Sequence, residues 1–327
     1  MKRLPLIIPL LLAVFCPFFL TAEKEEKASG APKKIVLIAG SRSHGSGEHE
    51  FRAGCLLLAK ALNEESGLNV EAVVVGRDWP KNKEVLAAAD AVFIFADGTS
   101  GIANQWEFLD ELAENGVGFT FMHYAVHPSA EQGKKYYQPW IGGAMESGWS
   151  VNPHWVADLK VNQDHEISRG VPETVTCLDE FYYNMRFRED RESVIDLITA
   201  VPTRENVVRY INLWNQHGVD GLGKEQTLMW GYERPNGGRG VGFTGGHYHH
   251  SWALDGFRTV VLNAIVWSAG MEVPEGGVKS DPLTEEELNA NLDPYKNGTK
   301  RLELPRVEDW RNLPPAKVNE KREAGFQ

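Results

Sequence analysis

The segment KIVLIA, residues 34–39, decides the fold class of this chain, because an apolar run follows Lys34 and ends at Gly40. Short apolar runs bounded by glycine are typical of strands that are buried on both faces of a sheet. Apolar residues at helical spacing follow from Phe51 to Leu62. A strand, a glycine-rich loop and a helix in this order begin a βαβ unit, which predicts a parallel sheet.

The same alternation continues through the first half of the chain. The pattern predicts strands at 69–75, 91–95 and 117–122, and a helix at 103–114. Right-handed crossovers between such strands place helices on both faces of the sheet. We therefore predict an α/β fold with a mostly parallel sheet and helices on both faces.

The second half is less regular, but it also contains short apolar segments between turn signals. The predicted strands are 155–161, 180–184, 193–200, 227–232 and 240–244. A closing helix is predicted at 254–267, and after Gly270 the chain becomes polar and rich in Pro, Glu and Asn. These boundaries predict a linker at 23–32, one domain at 33–270 and a polar C-terminal tail at 271–327.

Residues 1–22 have the layout of a secretory signal peptide. Lys2 and Arg3 precede an apolar run at 4–20, and small residues stand before an acidic stretch. We expect cleavage and export to the periplasm or the extracellular space, with an uncleaved anchor as the alternative. No other segment is long and apolar enough to span a bilayer, so we expect no stable membrane insertion after cleavage.

Charge and cysteine content narrow the classes of function. The formal net charge is −11, and loss of residues 1–22 would make it −13. An acidic chain without a basic block repels phosphates, so no nucleic-acid partner is expected. Cys55 and Cys177 remain after the signal, and two buried thiols are favoured over a disulfide.

The loop at 41–50 follows the first predicted strand, and it is rich in glycine and carries His44 and a second histidine. It lacks the lysine of a phosphate-binding loop and the spacing of a dinucleotide site, and Glu48 and Glu50 would repel an anion. No nucleotide cofactor is therefore expected. A sugar-binding or metal-binding loop and a solvated loop with a helix cap remain alternatives.

Histidines also follow the strand at 117–122. His123 comes directly after the strand and His127 four residues later. Since sites in parallel sheets form beyond the carboxyl ends of the strands, we expect His123 to face a cleft. There it could transfer a proton or bind a metal, whereas a hydrogen-bonded core histidine is the structural alternative.

Adjacent carboxylates at Asp179 and Glu180 stand beside aromatic residues. In a strand the two side chains point to opposite faces, so only one can enter a given pocket. A buried carboxylate needs a partner, which a histidine or a metal would supply. An ion pair with Arg186 is the alternative.

The segment at 244–252 contains three histidines in four residues. In an extended chain His247 and His249 would share a face, which suits the binding of a transition metal. We therefore predict a divalent metal (zinc, manganese or cobalt) with His123, His247 and His249 as ligands.

Four motifs in this order resemble those of the ThuA-like (trehalose utilisation) family. They are residues 34–40 with His44 after them, residues 118–123, residues 164–167 leading to 179–182, and residues 238–247. The resemblance implies a flavodoxin-like fold similar to class I glutamine amidotransferases. It also implies a role in disaccharide catabolism, with 3-keto sugars that a partner sugar oxidoreductase produces.

One departure from the amidotransferases concerns the nucleophile. Those enzymes place a cysteine in the sharp turn after a strand, and this chain has His123 at the matching position. Hydrolysis of glutamine by a thiolate is therefore not expected, and the chain is not expected to be a glutamine amidotransferase.

The hypothesis that follows is a metal-assisted lyase, hydratase or isomerase of keto sugars. Its catalytic residues are His123, Glu180 and His247. Its substrate-binding residues are His44, Tyr124, Tyr182 and Trp252. A non-catalytic carbohydrate-binding protein, a metal-dependent hydrolase and an interaction module remain alternatives, because a fold does not decide a function.

Overall fold

The computed structural model describes residues 30–77, 79–100, 102–209 and 216–316. The predicted signal peptide and most of the predicted linker lie outside these residues. The strands are β1 (Lys33–Ala39), β2 (Val70–Gly76), β3 (Ala91–Phe95), β4 (Gly118–Met122), β5 (Gly143–Ala144), β6 (His154–Val161), β7 (Thr174–Asp179), β8 (Arg186–Phe187), β9 (Val194–Ala200), β10 (Val207–Arg209), β11 (Gln226–Glu233) and β12 (Arg239–Phe243).

The α-helices are short, apart from those that cover the sheet. They are α1 (Phe51–Lys60), α2 (Glu84–Ala87), α3 (Trp106–Glu114), α4 (Ala130–Gln132), α5 (Gln138–Ile141), α6 (Gln216–Asp220), α7 (Asp255–Ser268), α8 (Glu285–Leu288) and α9 (Val307–Arg311). No helix among the described residues is long and apolar enough to cross a membrane.

One half of the main sheet is parallel. Its strands stand in the order β2-β1-β3-β4-β12, and every neighbouring pair among them is parallel. This is the strand order of the flavodoxin-like fold. Every residue of β3 and β4 is buried, as expected for parallel strands in a sheet that is packed on both faces. The predicted α/β class is confirmed.

The other half of the sheet is antiparallel. β11 pairs with β12, and β9, β6 and β10 extend the sheet from there, while β7 also pairs with β6. β5 and β8 form a separate small sheet. The less regular apolar pattern of the second half thus corresponds to strands that pair without helical crossovers.

Helices cover both faces of the sheet and bury two apolar clusters. One cluster contains Phe51 and Leu58 of α1 together with Val261 of α7. The other contains Leu109 and Leu112 of α3. Cys55 and Cys177 are buried and free, as the sequence favoured.

Two predicted elements differ in the structure. The strand expected at 180–184 is absent, because β7 ends at Asp179 and only an isolated bridge joins Tyr183 to Val151. The helix expected from residue 103 begins at Trp106, since Ala103 and Asn104 have φ angles of 48° and 60°, which a right-handed helix excludes.

The tail after Gly270 returns across the domain to the loop that follows β1. Val278 and Leu288 of the tail are buried, and Glu287 of α8 lies 2.8 Å from the Lys60 ammonium group. Trp310 of α9 is also buried. The Asp293 N–H also donates to Glu50 and the Tyr295 hydroxyl to the Gly45 carbonyl oxygen, so the tail adds contacts to the edge of the sheet that carries the polar loops.

Candidate functional site

Polar side chains meet at the carboxyl ends of the parallel strands. His44 and His49 follow β1, Asp97 follows β3, His123 follows β4 and His247 follows β12. The order in which strands are added to the sheet reverses between β1 and β3. Ligands of open α/β sheets bind at such a topological switch point. The site thus lies where the topology alone would place it.

His123 stands in the turn from β4 into a short 3-10 helix, His123–Val126, with a φ angle of 55°. Its ring is completely buried, and Nδ1 lies 2.9 Å from the carbonyl oxygen of Thr244. A carbonyl oxygen only accepts, so Nδ1 carries the proton. In the neutral ring, Nε2 then carries no hydrogen, and its lone pair is free to bind a cation.

His49 is held from both sides in a similar way. Its Nδ1 lies 3.0 Å from Oγ of Ser43 and 3.4 Å from Oδ1 of Asp97. Its Nε2 lies 3.0 Å from Nε2 of His123 and 3.0 Å from Nδ1 of His247. One nitrogen thus faces a carboxylate and the other faces two imidazoles.

The two adjacent carboxylates take separate roles. Asp179 is completely buried and accepts the backbone N–H groups of Gly246 and His247 at 3.0 and 2.9 Å, which fixes the loop after β12. Glu180 enters the site, where Oε2 lies 3.1 Å from Nδ1 of His247 and 3.4 Å from Nε2 of His123. The alternative partner of these carboxylates, Arg186, pairs with Glu146 instead.

His49, His123, Glu180 and His247 form a buried cluster whose ligand atoms lie within 4.8 Å of one another. A tetrahedral ion with metal–nitrogen distances of about 2.0–2.1 Å would separate neighbouring ligands by about 3.3 Å. Four of the six separations are 3.0, 3.0, 3.1 and 3.4 Å, close to that value, and all six lie within 4.8 Å. The four residues could therefore hold a metal ion.

The outer nitrogens of the three rings support the same interpretation. His123 faces a backbone carbonyl, His49 faces Asp97, and Nε2 of His247 lies 3.7 Å from Oε1 of Glu48. Histidines that bind metals usually donate their second N–H to a carboxylate or a carbonyl. His123 has this arrangement, and at His49 and His247 a carboxylate lies near the outer nitrogen at 3.4 and 3.7 Å, beyond an ordinary hydrogen bond.

The pKa values follow from burial and from the carboxylates. Burial lowers the pKa of His49 to about 3, so this ring is neutral at pH 7. Burial would also lower the pKa of His247, but hydrogen bonds to Glu180 and Glu48 outweigh it and raise the pKa to about 9. Although burial opposes it, hydrogen bonding to His123 and His247 lowers the pKa of Glu180 far below its usual range.

A cavity of about 480 Å³ opens above the cluster. Its lining includes His44, Tyr124, His127, Tyr182 and Arg209. This volume lies in the usual range for small-molecule sites. A sugar-sized molecule could therefore approach the cluster from the cavity.

Most of the predicted site residues lie together. His44, Tyr124 and Tyr182 line the cavity with Glu180 and His247. His123 is buried at its base, where the Tyr182 hydroxyl lies 3.3 Å from Nε2.

His249 and Trp252 do not join this group. The extended geometry expected for 247–249 is wrong, because a 3-10 helix, His249–Ala253, begins there and turns both side chains inward. His249 is buried beside a backbone group of Leu288. Trp252 packs against Phe95 and Phe257 in the core.

Sequence reasoning did not single out His49, Asp97 or His154. His49 lies in the same glycine-rich loop as His44, and Asp97 stands two residues after β3, so the strand-end rule would have identified both. His154 begins β6, and its Nε2 lies 3.5 Å from Oε1 of Glu180. No local pattern marks it, because β6 reaches the site through long-range antiparallel pairing.

Two solved structures of ThuA-like proteins agree with this architecture. A ThuA-like protein of Bacteroides uniformis has 14% identity and a TM-score of 0.54, over 75% of this chain and 95% of that chain. A ThuA-like protein of Parabacteroides merdae has 17% identity and a TM-score of 0.50, over 74% and 92%. A glutamine amidotransferase of Thermotoga maritima has 9% identity and a TM-score of 0.39, over 79% and 99%.

At 14% and 17% identity the two ThuA-like structures show the fold alone, and the amidotransferase, with a TM-score of 0.39, carries no argument. No curated protein sequence matches the chain. The ThuA family, described as trehalose utilisation, matches residues 36–268, which is well over half of the chain. The chain therefore belongs to the ThuA family.

Proposed function

We propose that this chain is an exported, metal-dependent enzyme that removes a proton from a keto sugar derived from a disaccharide. The observation that carries the proposal is the convergence of three imidazole nitrogens and one carboxylate oxygen at the base of an open cavity. The description of the family, trehalose utilisation, supports a substrate derived from a disaccharide. The signal-like residues 1–22 support export.

In this proposal the metal is held by His49 Nε2, His123 Nε2, His247 Nδ1 and Glu180 Oε2. A divalent ion bound there would polarise the carbonyl oxygen of the sugar and stabilise the negative charge that develops on it. The chain adds neighbouring groups that orient the sugar. The Tyr182 hydroxyl and the Tyr124 ring lie on the cavity wall next to the cluster.

The role of His123 changes in this proposal. The sequence suggested His123 as the proton acceptor, but its unprotonated Nε2 faces the cluster, where it would bind the metal. His44 is the better proton acceptor because it is exposed and lines the cavity. Partial burial and the neighbouring His247 lower the pKa of His44, so its ring is mostly neutral at pH 7 and can take a proton.

Proton removal beside the carbonyl is the first step shared by β-elimination, hydration after elimination, and isomerisation. A deuterium experiment therefore tests all three. Metal-loaded protein is incubated with 3-keto-trehalose in D2O, and proton NMR follows exchange at the carbons beside the carbonyl. We expect exchange at least about 100-fold above the spontaneous rate, since general acid–base catalysis supplies about 10²–10⁴.

Two variants and one substrate control sharpen this test. His44→Ala should lose most of the exchange while it keeps the metal, whereas His165→Ala, whose ring packs on Trp267 outside the cavity, should keep both. Trehalose without the keto group should not exchange. An exchange rate equal to the spontaneous one in metal-loaded protein would contradict the enzyme proposal.

A carbohydrate-binding protein is the second candidate. The rings of Tyr124 and Tyr182 in the cavity wall favour it, because aromatic faces bind sugars without any turnover. Tight binding of the keto sugar without deuterium exchange would identify this function instead.

A further inference from the structure

We propose that the tail holds the loop at 41–50 in its metal-binding shape, with Glu50 and Tyr295 as positioning residues for His49. The part of the tail that does so is residues 289–302, called the tail strap below. The family match ends at residue 268, so the tail strap lies outside it. This inference rests on the proposed metal site.

Glu50 joins the loop to the tail strap directly after His49. Its side chain is buried at the start of α1, with 2% exposed. Oε1 accepts the Gly47 N–H at 3.0 Å, and Oε2 accepts the Asp293 N–H at 2.7 Å. One carboxylate thus fixes the backbone of both segments, and hydrogen bonds to a charged acceptor are among the stronger ones.

Further contacts follow the loop along its length. The Tyr295 hydroxyl donates to the carbonyl oxygen of Gly45 at 2.8 Å, and the Lys300 N–H donates to Ser46 Oγ at 2.7 Å. Leu302 packs on Gly47, where a Cβ atom would lie only 2.8 Å from the leucine methyl group. Gly47 has a φ angle of 83°, which also favours glycine.

The opposite side of the loop contacts the second ligand loop. The His49 N–H donates to the His247 carbonyl oxygen, and the His249 N–H donates to the Gly47 carbonyl oxygen, both at 2.9 Å. The loop is therefore held between the tail strap and the segment that carries His247.

The conformation of His49 needs this support. His49 has a φ angle of 50°, a left-handed conformation that is strained for residues other than glycine. Such conformations persist where the surroundings hold them. Loosening of the tail strap should therefore release His49 first and weaken the metal site.

The tail strap also has internal contacts that keep its shape. The Asn289 side chain donates to the Leu302 carbonyl oxygen at 2.8 Å and accepts the Leu302 N–H at 2.7 Å. This pair closes the segment into a loop of its own. The tail strap is therefore able to act as a rigid support.

Glu50→Gln and Tyr295→Phe test the proposal, with Glu166→Gln as a matched control. Glu166 also accepts a backbone N–H from the tail, that of Val273 at 3.0 Å, and its other contact is with Arg239. The first measurement is the zinc dissociation constant by competition with a chelator. The second is hydrogen exchange of the peptide that contains residues 41–50, measured without metal.

We expect zinc binding about tenfold weaker in Glu50→Gln and Tyr295→Phe, the lower end of the effect of outer partners of metal ligands. Exchange of the 41–50 peptide should be faster in both variants. Glu166→Gln should match the wild type in both measurements. Wild-type values in Glu50→Gln and Tyr295→Phe would overturn the proposal.

Failure of the metal site itself can be told apart from failure of the positioning role. If the wild type binds no zinc, manganese or cobalt, the proposed function fails, and hydrogen exchange alone decides the positioning role. Unchanged exchange would then refute it and faster exchange would support it. Tyr295→Phe keeps the ring that lies 4.6 Å from the Arg42 guanidinium group, so this variant should remain folded.

Discussion

The Nε2 atoms of His49 and His123 lie 3.0 Å apart, while the outer nitrogen of each ring faces an acceptor. When Nδ1 of both rings carries the hydrogen, the two Nε2 lone pairs point at each other, and a bound cation or a proton relieves the repulsion. Glu180 adds negative charge to the same point. The cluster therefore has the electrostatics of a cation site, and the predictions below follow from it.

Removal of one proposed ligand should abolish metal binding. We expect His49→Ala to weaken zinc binding by more than the roughly 100-fold that loss of an outer partner costs. Elemental analysis after gel filtration should then find less than about a tenth of an ion per chain. His127→Ala is the control, because His127 lines the same cavity outside the cluster, and it should keep a full ion.

Asp97→Asn should weaken metal binding, but the site should still fill when zinc is in large excess. Asp97 orients His49, and loss of such a partner costs about 10–100-fold in affinity. The measurement is a zinc titration against a chelator. Asp90→Asn is the control, since Asp90 lies at the other end of β3, where it pairs with Lys33. Equal affinities for the two variants would refute the role of Asp97.

Metal binding should depend on pH through His247. Its pKa is raised to about 9 in the metal-free site, so the ring carries a proton that the metal must displace. Affinity should therefore rise about tenfold per pH unit from pH 6 to 8, and level off above about pH 9. Calorimetry in buffers of different ionisation enthalpy should find about one proton released per ion at pH 7. A pH-independent affinity would contradict this assignment.

Asp179→Asn should destabilise the fold more than an exposed substitution in the neighbouring strand. Asp179 accepts four backbone N–H groups and the Ser251 hydroxyl at 2.9 Å, and an amide cannot replace all of these contacts. We expect a loss of about 2–4 kcal/mol in the free energy of unfolding, measured with urea in the presence of a chelator. The control Asp158→Asn, on exposed Asp158 of β6, should lose less than about 0.5 kcal/mol. Equal losses would show that Asp179 is not a structural anchor.

The buried strands were the most predictable part of the fold. β3 was predicted without error and β1 and β4 within one residue, because strands covered on both faces are continuous apolar runs. The strand predicted at 180–184 was wrong, because the chain there bends to bring Glu180 into the site. The antiparallel half depends on long-range pairing, which no local pattern specifies.

The site could be predicted only in part for a related reason. His123 and His247 follow strands, so the topology brings them together. The direction of His49 depends on its left-handed backbone, and the inward turn of His249 depends on a 3-10 helix. Neither feature has a periodic signature in the sequence. The contacts of the tail strap likewise join residues more than 240 positions apart, as at Glu50 and Asp293.

Elemental analysis of the wild-type chain tests the central claim most directly. The protein is prepared without a histidine tag, stripped with a chelator, and equilibrated separately with zinc, manganese and cobalt before gel filtration. The account predicts one tightly held ion per chain for at least one of these metals. Fewer than about 0.1 ions per chain for all three, in protein whose circular dichroism shows it to be folded, would contradict it.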